Sequence, residues 1–193
     1  MTITRDSLLT LEAYEKARPD LRSEAMERKK KRKVFIGDNV MLQFEDEVTI
    51  RYQIQEMLRA EKTFDEAGIQ DELEAYNPLL PEGNNWKATQ MIEFTDVAVR
   101  QEKLVELKGI ERHTYIQIAG QERVYAIADE DMPRENEEKT SAVHFLRFQL
   151  SDAMIAAAKS GEPIAIGVDL PAYNEHIEEV GPEVQGMLVS DLR

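Results

Sequence analysis

Two ionisable residues fall where the hydrophobic pattern calls for apolar ones, and they are the first candidates for chemistry. In VTIRYQIQEMLRAEK, Ile50, Ile54, Met57 and Leu58 recur at helical spacing. Continued on the same wheel, Glu61 lands between Ile50 and Ile54, while Tyr52 and Arg59 point away. A carboxylate on an apolar face pairs with a cation, takes up a proton, or sits at a frayed helix end in reach of water. The proposed cation is Arg147. In SAVHFLRFQL side chains alternate, so Val143, Phe145, Arg147 and Gln149 share one face and His144, Leu146, Phe148 and Leu150 the other. Both faces are largely apolar, which predicts a central strand covered on both sides. Arg147 and His144 are then costly unless bonded, either as satisfied structural residues or as the lining of a ligand pocket. With Tyr52 nearby, Glu61, Arg147 and His144 form the candidate pocket, between the helix and the central strand.

Other chemistries find little support. The histidines, His113, His144 and His176, show no HxH, HxxxH or ExxH spacing, so no metal is expected beyond a three-histidine site assembled from separate strands. There is no GxSxG, GxxxxGK[ST] or GxGxxG pattern, so neither nucleophilic catalysis nor nucleotide binding has a motif. No cofactor is expected. The absence of cysteine excludes disulfides, thiolate metal sites and cysteine nucleophiles. Tyr173-Asn174-Glu175-His176 follows the strand end at Asp169-Leu170-Pro171 and reads as a solvated loop.

The run Arg28, Lys29, Lys30, Lys31, Arg32, Lys33 stands out in a chain of net charge −14. It reads either as a basic helix end that meets the protein's own acidic surface or as a docking patch for an acidic partner. Nucleic acid is disfavoured, because the overall charge repels phosphate and no aromatic platform accompanies the run.

The elements that must position these residues come from periodicity and punctuation. Residues 1–80 read as mainly helical. A short helix over Asp6–Lys16 closes before Arg18-Pro19, and a second runs from about Asp20 into the basic stretch. A β-hairpin turns at Gly37-Asp38-Asn39, the Ile50 helix follows, and a further helix starts at a capping box of Thr63 and Glu66. Residues 86–193 are sheet-rich: a strand over Trp86–Phe94, a helix capped by Asp96, a hairpin turning at Ala119-Gly120, and an exposed acidic loop, DEDMPRENEEKT. The Arg147 strand, a helix capped by Ser151, the strand PIAIGVDLP and a last helix from Pro182 complete the chain. This predicts one α+β domain with a mixed, mostly antiparallel sheet covered by helices. No run is long and apolar enough for a membrane span, and MTITRDSLLTLEAYEKARP lacks a signal-peptide core, so a cytoplasmic protein without a membrane partner is expected.

LEAYEKAR, RKVFIGDNVMLQFEDEVTIRYQIQEMLRAEK, MIEF, VYAIADED, TSAVHFLRF and IAIGVDLPAY together resemble a bacterial family catalogued as a domain of unknown function. The resemblance spans nearly the whole chain, and its most specific stretches are FE…YQIQEMLRAE and SAVHFLRF. It implies a single-domain cytoplasmic protein whose gene neighbours those of rubrerythrin-like proteins and a cysteine-rich iron–sulfur oxidoreductase. That setting implies a part in peroxide or oxygen stress, or in assembling a redox complex. It carries over no catalytic residue. The function expected is therefore an accessory or binding protein of such a partner, without a redox centre of its own; a homodimer is compatible with the sequence. The alternative is a small-molecule enzyme or ligand-binding domain whose pocket is lined by Glu61 and Arg147.

Overall fold

The computed structural model describes residues 2–193. It is an α+β fold with six α-helices and two sheets, of five and four strands, all antiparallel. The helices are α1 (Leu11–Lys30), α2 (Glu47–Glu61), α3 (Glu66–Tyr76), α4 (Val97–Glu106), α5 (Asp152–Lys159) and α6 (Pro182–Ser190). The strands are β1 (Lys33–Ile36), β2 (Val40–Phe44), β3 (Asn85–Ile92), β4 (Thr114–Ile118), β5 (Val124–Tyr125), β6 (Ile127–Ala128), β7 (Val143–Gln149), β8 (Ile164–Leu170) and β9 (Tyr173–Ile177). The five-stranded sheet runs β1-β2-β3-β7-β6 and the four-stranded sheet β5-β4-β8-β9. No helix among the described residues is long and apolar enough to cross a membrane.

The α+β class expected from the sequence is found, with its strands divided between two antiparallel sheets. The chain leaves β7, passes through α5 and enters β8 in the other sheet. Both sheets turn an apolar face to one core. Leu42, Phe44, Trp86, Leu146 and Phe148 come from the first, and Ile116, Ile118, Ile164, Ile166 and Val168 from the second. Trp86, wholly buried, donates its indole N–H to Leu188 O of α6 at 2.8 Å, so its one polar atom is satisfied.

A second apolar cluster belongs to the helical part. Ile50, Ile54 and Leu58, spaced i, i+4, i+8 on α2, pack on Ile69 and Leu73 of α3 and on Ile3, Leu8 and Leu80. Burial of each large aliphatic side chain contributes about 1.5–3 kcal/mol. Asp46 starts α2 with a reciprocal capping box to Thr49, and Asp65, rather than Thr63, caps α3 through the Gly68 N–H.

The break expected at Arg18-Pro19 does not occur, because α1 runs through Pro19 from an N-cap at Thr10. A proline inside a helix removes one hydrogen bond and crowds the preceding turn. Here α2 holds the helix together from alongside. The Tyr14 hydroxyl donates to Glu56 Oε1 at 2.7 Å, Arg18 grips both Glu56 oxygens at 2.7 and 2.9 Å, and Arg22 Nη1 donates to Tyr52 Oη at 2.9 Å. The Arg18 guanidinium, helped by the Tyr14 hydroxyl, lowers the Glu56 carboxyl to about 2.

Candidate functional site

A cleft of about 380 Å³ opens where the helical part meets the outer face of the five-stranded sheet. Met57 of α2, with Ala75 and Tyr76 of α3 and the turn at Pro78 and Leu79, forms one apolar wall. Phe145 and Arg147 of β7 and Lys87 of β3 form the floor, and Glu130, Asp131, Met132 and Arg134 of the loop 129–140 close the side. Strand alternation places the floor residues: Lys87 and Arg147 are directly opposite in the β3–β7 register, and Ile127 of β6 is opposite Arg147.

Of these two opposed cations only Arg147 is in contact with a carboxylate, which the acidic loop supplies. Arg147 donates Nε to Glu130 Oε2 at 2.8 Å and Nη2 to Glu130 Oε1 at 2.7 Å, a bidentate pair, and Nη1 to Gln149 Oε1 at 2.8 Å. These bonds hold the Glu130 carboxyl below the usual range. Arg134 makes a second bidentate pair with Asp131, at 2.6 and 2.7 Å, and its guanidinium lies 4.5 Å from the Phe145 ring centre. Lys87 differs. Its Nζ donates to Pro78 O at 2.9 Å, and it has no carboxylate in ion-pair contact among the described residues. Burial draws its ammonium below the usual lysine range. On the opposite wall burial raises the Glu72 carboxyl, and the charges of Glu61 and Asp71 raise it further.

One imidazole ties the two ends of the loop. His144 is wholly buried on the core side of β7, with Nδ1 2.6 Å from Asp129 Oδ2 and Nε2 2.8 Å from Thr140 Oγ1. Because a carboxylate only accepts, Nδ1 carries the hydrogen in that bond. Asp129 and Thr140 are the two ends of the acidic loop, so the ring staples both. Asp129 also has φ +51°, uncommon for a residue with a side chain, and its Oδ1 accepts the Phe145 N–H at 3.0 Å. Hydroxyl, imidazole and carboxylate are connected as a nucleophile, base and orienting acid would be. Thr140 is nevertheless buried, and the cavity beside Asp129 is lined by Glu111, Arg112, residues 126–129 and residues 133–135, without Thr140 or His144. The array therefore acts here as a structural staple.

Of the four residues expected to share a pocket, one lines the cleft. Arg147 is there, with Glu130 as its carboxylate in place of Glu61. Glu61 is exposed in the last turn of α2, where the helix overhangs the edge of its apolar cluster, so no buried carboxylate arises. His144 belongs to the core face. Tyr52 turns to α1, where Arg22 donates to its hydroxyl. The strand pattern carried no signal for Lys87, and the loop residue Glu130 looked like solvent-exposed acid.

The basic run is largely consumed within the molecule. Arg32 is wholly buried, donating to Phe44 O and Glu45 O, both at 3.1 Å, and to the Asp191 carboxylate, so it offers nothing to a docking partner. Arg28 donates to Asp46 at 2.5 Å, Lys30 to Glu27 at 2.5 Å, and Lys31 lies 3.2 Å from Glu183. Lys29 and Lys33 lie 5.9 and 5.8 Å from the ring centres of Tyr52 and Phe35. The other two histidines lie at the four-stranded sheet: His113, in the bend before β4, has Nδ1 3.1 Å from Asp169 Oδ1, and exposed His176 of β9 is opposite Gly167. Gly167 leaves room for Tyr115, since an added Cβ would come within 2.6 Å of its hydroxyl. Among the described residues no group of three or more His, Cys, Asp or Glu side chains is placed to hold a metal ion, and no three-histidine site forms.

A family model described as protein of unknown function (DUF3501) matches residues 2–192. The chain belongs to this family. A crystal structure of a protein of unknown function from Burkholderia pseudomallei is 52% identical, with a TM-score of 0.96 and 100% of each chain covered. No curated protein matches. The DUF3501 fold is thus shared with a solved relative whose description assigns it no role, and the reading of the site rests on its own geometry.

Proposed function

We propose that the protein binds a small, largely apolar molecule in the cleft between α2–α3 and the outer face of β3 and β7. The supporting observation is an open, apolar-walled space of about 380 Å³ whose floor holds a half-buried lysine without a carboxylate in contact. Ligand sites commonly combine such walls with a few convergent polar groups. Loop 129–140 serves as the third wall, positioned by the Arg147–Glu130 pair and the His144 staple. A place beside a rubrerythrin-like protein or an iron–sulfur oxidoreductase, implied by the resemblance, is compatible with such a binding protein and is tested by co-purification of the gene products. The cleft itself is tested with a neutral apolar dye, N-phenyl-1-naphthylamine, titrated by fluorescence. The native chain should bind one equivalent saturably, and Ala75→Trp, an exposed helix position on the wall, should weaken binding about tenfold or more. Equal binding by both proteins, or none by the native chain, refutes the reading.

A further inference from the structure

We propose that the ligand of this cleft is an apolar-bodied carboxylic acid whose anionic head is seated at Lys87. The inference rests on the cleft being the binding site and adds the chemical class of its occupant. It follows from the charges on the floor. Lys87 and Arg147 are directly opposite across β3 and β7, but Glu130 takes two of the Arg147 donors and Gln149 a third. Arg134, the remaining cation of the lining, is occupied by Asp131. An ammonium has three donors, and Lys87 uses one, on the Pro78 carbonyl. Two N–H groups of a half-buried cation are thus left beside apolar surface formed by Leu79, Phe145 and Met57.

A carboxylate would complete the coordination of Nζ and neutralise it, while its chain or ring covers that apolar surface. A charge-assisted bond in a partly desolvated cleft is stronger than a neutral one. A neutral head would leave the lysine only the more distant charges of Glu82 and Glu130, and an ammonium head would add a third cation to the floor.

Octanoate, octanol and octylamine, which share a tail and differ in the head, are compared by displacement of N-phenyl-1-naphthylamine at pH 7. Octanoate is expected to bind about tenfold or more tightly than octanol, with octylamine weakest. In Lys87→Met the dye should still bind and the octanoate preference should vanish; Lys87→Arg should keep it. If octanol equals or exceeds octanoate on the native chain while the dye binds, the carboxylate class is overturned and the cleft reading stands. If neither dye nor any of the three binds, both fall. Retention of the preference in Lys87→Met also overturns the assignment. The ratio on the native chain needs no variant, so a poorly folded Lys87→Met does not protect the proposal.

Discussion

Replacing His144 by phenylalanine keeps the ring volume and removes both bonds that staple the acidic loop. Asp129 Oδ2, 2.6 Å from Nδ1, loses this partner at the half-buried end of the loop, and Thr140 Oγ1, 2.8 Å from Nε2, keeps only a 3.5 Å contact with Glu111. Glu111, also buried, has an oxygen 3.8 Å from the same Nε2 and loses that neighbour as well. A buried bond to a charged group contributes about 1.5–3 kcal/mol and a neutral one about 1 kcal/mol, so the change should cost about 3 kcal/mol. Urea unfolding reads this as a lower midpoint at unchanged slope. Trypsin reads the local part, because Arg134 and Lys139 lie in the stapled loop. If half of the loss falls on loop opening, the open population rises about tenfold, and cleavage rises with it when closing outpaces cutting. Unfolding and cleavage both within twofold of the native chain would refute the staple.

Three further outcomes follow from the same geometry. Arg32→Met leaves Asp191 buried beside Asp46 without its guanidinium, and denaturant unfolding should show a loss of about 3–5 kcal/mol; a loss below about 1 kcal/mol would contradict the anchoring role. Glu56 has a folded pKa of about 2 against an ordinary 4.5, so its ion pair with Arg18 stabilises above about pH 4.5 and is lost as pH falls toward 2. The pair is partly exposed, so the contribution is about 1 kcal/mol, and unfolding midpoints of Glu56→Gln should converge on the native values at the acid end of that window. A Glu130→Gln change weakens the hold on Arg147 and should raise tryptic cleavage at Arg134 severalfold while leaving global stability within about 1 kcal/mol.

Much of the secondary structure was legible because local signals and tertiary fate agreed. The hairpin at Gly37, with φ +62°, the α2 stripe, and the caps at Asp96 and Ser151 all form as their chemistry requires. Pro19 misled because the forces that override it, the grip of Tyr14 and Arg18 on Glu56, span about forty residues of sequence. Residues 173–176 read as a solvated loop because the strand they form with Ile177 is amphipathic only weakly, with exposed Asn174, Glu175 and His176 at a sheet edge. The cleft was half legible. Alternation in β7 pointed to Arg147, but its partner comes from a loop whose composition says only that it is polar. Lys87 owes its character to a register that no local pattern encodes. Glu61 shows the limit of a helical wheel, which carries no information about where the helix overhangs its support.

The central claim, that the cleft holds an apolar carboxylic acid, is met most directly by two-dimensional NMR of the isotope-labelled protein titrated with octanoate. Saturable shifts are expected at Met57, Ala75, Tyr76, Lys87, Met132 and Phe145, with the helices and strands away from the cleft unchanged. Shifts centred elsewhere, or none at saturating octanoate, would contradict it.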